Sequence, residues 1–97
     1  MSKRYVLFLS DADLAQPDFE LVKKIMDTRY GPTKVIPVRD NPRALIVKTT
    51  NAVAPLLRGE ESSLRLDGKK LVSVLTSGAI VNLKRRATEP PANGKVP

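Results

Sequence analysis

Tyr5-Val6-Leu7-Phe8-Leu9, followed at once by Ser10-Asp11, is apolar at every position and then turns. A run this short, with no polar alternation, reads as a strand buried on both faces and therefore as the centre of a sheet. The next segment changes period. Pro17 suits a first helical position, Asp18 and Glu20 suit the positive end of a helix, and Phe19, Val22, Ile25, Met26 and Tyr30 recur at helical spacing until Gly31-Pro32 stops them. Thr33 to Val38 reads as a second strand, and Pro37, which has no N–H for a ladder, restricts it to an edge or a bulge, with an edge expected. Asp40-Asn41-Pro42 turns the chain into Ala44 to Thr49, the antiparallel partner of that edge.

A short helix follows from a Thr50 or Asn51 cap through Leu57 to Gly59. Asp67-Gly68 then introduces a strand over Lys70 to Thr76. Ser77 caps a last helix with Ala79, Ile80 and Leu83 as its apolar stripe and Lys84-Arg85-Arg86 at its negative end. This order predicts an α+β, ferredoxin-like (RRM-like) βαββαβ sandwich: a four-stranded antiparallel sheet, two helices on one face, and an extra C-terminal helix available for the other. Residues 1–87 form the expected single domain. The Pro- and Gly-rich stretch 88–97 is expected to be a disordered tail.

Composition removes whole classes of chemistry. The chain has no cysteine and no histidine, which excludes thiolate and imidazole catalysis, disulfides and nearly all zinc sites. No apolar run approaches the length of a membrane span, and Asp11 and Asp13 interrupt any signal-peptide pattern, so a cytoplasmic location is expected. The net charge is +7, and the excess is concentrated in residues 28–87, where twelve basic side chains face four acidic ones. The commonest partner of such a domain is a polyanion.

The carboxylates offer little. Glu60-Glu61 are sequence neighbours in a polar stretch and point apart, and Asp11 with Asp13 lacks the further oxygen ligands a magnesium site recruits, so a turn is the simpler role. The third strand, Ala44 to Thr49, has no aromatic residue for base stacking, and Tyr5 and Phe8 lie on opposite strand faces. Recognition by shape and phosphate contact is therefore expected. The candidate contacts are Arg65, Lys69 and Lys70, the helix start Ser77-Gly78, and Lys84, Arg85 and Arg86, whose bland alternative is a helix end with favourable dipole charge.

The stretch Leu66-Asp67-Gly68-Lys69-Lys70-Leu71-Val72-Ser73-Val74-Leu75-Thr76-Ser77-Gly78-Ala79-Ile80, leading to Lys84-Arg85-Arg86, resembles the archaeal ribonuclease P protein component 2 family, whose strand ends in a Ser-Gly-Thr-Ile type turn before a basic helix. Lys3-Arg4-Tyr5-Val6-Leu7-Phe8 resembles that family's first strand, and Arg43 to Thr50 the strand where it usually shows a Gly-Ile/Val-Val pattern. Ala79 stands where the family commonly carries Thr, and one helix rather than two separates the first strands. The resemblance implies an RNA-binding, non-catalytic subunit of the endonuclease that removes the 5′ leader from precursor tRNA, with catalysis by the RNA and its Mg2+. It further implies ribonuclease P RNA and protein component 3 as partners, a two-by-two heterotetramer, and RNA contact by Ser77, Gly78, Lys84, Arg85 and Arg86. The competing expectation is a ferredoxin-like protein-interaction or assembly module, favoured if the sheet presents an apolar patch without neighbouring cations.

Overall fold

The computed structural model describes residues 3–59, 64–66 and 68–88, with no side-chain description at 58, 59 or 64–66. Glu60-Glu61, Asp67 and the stretch 89–97 lie outside it. The elements are β1 (Lys3–Ser10), α1 (Gln16–Tyr30), β2 (Lys34–Pro37), β3 (Ala44–Thr50), α2 (Ala54–Gly59), β4 (Leu64–Leu66), β5 (Lys69–Ser77) and α3 (Ile80–Thr88). The strands form one antiparallel sheet in the order β2-β3-β1-β5-β4. Without β4 this is the ferredoxin-like sheet, with β1 inside and the proline-bearing β2 at an edge.

The middle of the β1 run, Val6 to Phe8, is buried on both sides, whereas Tyr5 is half-buried and Leu9 is exposed at the end of the strand. Val6 and Phe8 join Val22 and Met26 of α1, Ala54 and Leu57 of α2, and Leu45, Val47 and Leu71 of the flanking strands in one core. Leu7 points the other way, into a second core with Val38, Ala44 and Ile46 that Leu83 and Ala87 of α3 close. The crossover helices thus share one face and α3 covers part of the other.

The edge strand β4 is an addition to the four strands read from the sequence. Leu66 pairs with Lys69 across a two-residue connection in which Gly68 has φ of 89°. Positive φ carries almost no penalty for glycine, and Asp-Gly is a preferred pair for such a hairpin. A second departure concerns α3. Ala79 is exposed and precedes the helix, so the stripe is Ile80, Leu83 and Ala87 instead. Thr88, which the composition assigned to the tail, is the last helical residue, and its hydroxyl donates to the carbonyls of Lys84 and Arg85.

The β1–α1 loop is held by its acids. Asp11 accepts the Lys70 backbone N–H at 3.0 Å and Asp13 pairs with Arg43 at 3.0 Å, so both brace the loop. Asp18 accepts the Ala15 N–H at 2.8 Å and the Lys69 ammonium at 2.6 Å, fastening the start of α1 to β5.

Candidate nucleic-acid interface

Three residues decide where the cations of α3 go. Successive helical positions are about 100° apart, so with Ile80, Leu83 and Ala87 on the sheet, the run Lys84-Arg85-Arg86 cannot form one patch. Lys84 and Arg85, with Val81 and Thr88, border a cleft of about 440 Å³ whose other wall is Pro37, Val38, Arg39 and Asp40. The opposite flank faces β5, because the Asn82 amide reaches the Ser77 hydroxyl at 3.5 Å. Arg86, one turn beyond Asn82, shares that flank. The Asn41 amide donates to the Ala87 carbonyl at 2.8 Å and ties the end of α3 to the β2–β3 turn, which places Arg39 opposite Lys84 and Arg85. Sequence reading did not select Arg39. Its signal was available only as a cation beside the hairpin turn.

The remaining candidates are dispersed. Lys69 is engaged by Asp18, whose carboxyl is held below the usual carboxylate range first by that lysine and then by the Ala15 N–H. Lys70 is exposed on β5, and Arg65 is its register partner on β4. The Ser77 hydroxyl accepts the Ala79 N–H at 3.1 Å, shaping the entry to α3. Gly78 lies under the guanidinium of Arg4, so close that a Cβ there would meet it at 2.9 Å. Ser77-Gly78 therefore serve the strand-to-helix turn, with Arg4 packed over it.

Two aspects of the α3 face bear on what it can hold. Of the chain's four aromatic residues, Phe8 is in the first core and Phe19 and Tyr30 pack against it, leaving Tyr5, half-buried, alone on this face. Stacking along a row of aromatics, as RRM-type sheets do it, has no platform here. Next to α3, the sheet is open at β5. Val72 and Leu75 are paired with Leu9 and Leu7 and so face the same way, and Val74 is left without a register partner at an irregularity opposite the Leu7–Phe8 step. Leu9, Val72 and Leu75 are 37 to 45% exposed and form an apolar strip on this face.

No protein-family model and no curated protein matches this chain. Among the described residues no group of three or more acids gathers as a metal site would require, and no helix is long and apolar enough to cross a membrane.

Proposed function

We propose that this protein binds structured RNA through phosphate contacts, as a non-catalytic subunit of a ribonucleoprotein. The observation that carries this reading is the cleft that Arg39, Lys84 and Arg85 line together with one acid, Asp40. Two guanidinium groups and an ammonium around an open groove suit phosphate oxygens, which arginine binds in bidentate fashion. The missing stacking platform supports recognition by shape. Ribonuclease P is the ribonucleoprotein to which the sequence resemblance points. There the protein's cations would offset repulsion between packed RNA strands and lower the Mg2+ that the catalytic RNA requires.

Filter binding to ribonuclease P RNA and to an unrelated structured RNA of equal length, across a salt series, tests this reading. Tighter binding to the first is expected. In the R39Q/K84Q/R85Q variant the slope of log affinity against log salt should become shallower by about 3, near one unit for each phosphate that the protein no longer neutralises. Equal affinity for both RNAs, with the slope unchanged in the variant, would overturn it.

The apolar strip on β5 favours a second role on a separate surface, the docking of a protein partner, for which the resemblance suggests protein component 3. Val72→Asp should leave RNA binding and fold intact, since Val72 is 45% exposed, while abolishing co-elution with purified component 3. Retained co-elution would dismiss the strip.

A further inference from the structure

At the other end of the α3 face, strand register gathers three lysines that lie far apart in sequence. Lys34 of β2 is directly opposite Lys48 of β3, Lys48 is directly opposite Tyr5 of β1, and Lys3 is two residues from Tyr5 on the same side. Tyr5 belongs to the core under α3, so all three ammonium groups lie on that face. None of the three ion pairs among the described residues includes any of them. Like charges directly opposed across strands are destabilising. The strain is visible at Lys48, whose ammonium is held below the ordinary lysine range, first by the charge of Lys3, then by its partial burial, with the charge of Lys34 acting in the same direction. Burial and repulsion both oppose its charge, and no carboxylate among the described residues relieves them.

This cluster and the Arg39–Lys84–Arg85 cleft lie along the same flank. β2 leads from Lys34 to Pro37, a wall of the cleft, over about 10 Å at roughly 3.3 Å per residue. That span is short enough for nearby phosphates of one RNA strand to reach both places. We propose that Lys3, Lys34 and Lys48 form a second phosphate seat, taking the backbone of the same RNA strand beside the cleft. The seat rests on the RNA-binding reading for its ligand, though its chemistry would suit any polyphosphate. Neutralisation by the ligand relieves the repulsion among the three lysines, which makes Lys48 a residue that costs stability and supplies affinity.

The test is the K34Q/K48Q variant, compared with wild type in RNA filter binding across a salt series, in calorimetric titration with inorganic tripolyphosphate, and in thermal unfolding at low and high salt. The salt slope for RNA should fall by about 2. Its Tm should equal or exceed that of wild type at low salt, with the gain fading as salt screens the wild-type lysines. A slope that does not change, in a variant that folds, overturns the seat even while R39Q/K84Q/R85Q still weakens binding. Should wild type bind no RNA, the functional reading fails separately. The seat then survives only if wild type binds tripolyphosphate and K34Q/K48Q does not, which would make free polyphosphate its ligand; equal behaviour of the two proteins overturns it.

Discussion

Leu83→Ala should release α3 from the sheet while the rest of the domain stays folded. Leu83 has no exposed surface, and only Ala87 and Ile80 accompany it in packing α3 onto the strands. Truncating a buried leucine typically costs about 3 kcal/mol in transfer and cavity terms. A helix of nine residues is not stable alone in water, so its existence depends on that packing. The first core, built from α1, α2 and the other sheet face, does not include α3 at all. The effect should therefore be local: hydrogen exchange at the amides of residues 80–88 accelerates, while those of Val6, Leu45 and Val47 keep most of their protection. RNA affinity should fall with it, because Lys84 and Arg85 no longer stand opposite Arg39. Leu21→Ala, at a side chain 38% exposed, is the control and should change stability by about 0.5 kcal/mol or less. Uniform loss of protection across both cores would show instead that α3 is integral to the cooperative unit.

What the sequence made legible follows from the range of the interactions involved. The continuous apolar run of β1 pointed to the sheet centre, Pro37 limited β2 to an edge or a bulge, and the helical period of α1 was long enough to read, so the ferredoxin-like plan was accessible from local pattern. The strand β4 was missed although its signal was present, since Leu64-Arg65-Leu66 alternates immediately before Asp67-Gly68. Three residues are simply too few to weigh against a loop.

The site was less accessible because charge carries no direction until register and helical phase are fixed. Lys84, Arg85 and Arg86 are adjacent in sequence, yet the phase set by Ile80, Leu83 and Ala87 divides them between two flanks. Lys3, Lys34 and Lys48 look like scattered surface lysines, and only the pairing of β1, β3 and β2 brings them together. Lys69 illustrates the reverse. A lysine next to Lys70 in a basic segment invites assignment to RNA, but its ammonium reaches 51 residues back to Asp18.

That ion pair leads to the second large effect. Asp18 is a nearly buried carboxylate that accepts both the Lys69 ammonium and the Ala15 N–H, joining the start of α1 to the β4–β5 hairpin. Removing it in Asp18→Ala deletes a charge-assisted hydrogen bond and a helix-start interaction together, at a cost of about 2 kcal/mol. For a domain of this size that corresponds to a Tm lower by roughly 10 °C. The pH dependence identifies the cause. Because the folded carboxyl ionises below the ordinary aspartate value of about 3.9, its contribution is complete above that value and is lost as pH falls through the lower, folded one. The Asp27 carboxyl is also held low, by Lys23 and then Thr33, but it is common to both proteins and cancels in their difference. The Tm gap between wild type and Asp18→Ala should thus be constant near neutral pH and close below about pH 4. A gap that persists undiminished into strong acid would assign Asp18's contribution to packing instead of charge. Lys69→Met should reproduce the destabilisation at neutral pH and leave the salt slope for RNA unchanged, since its charge is already committed to Asp18.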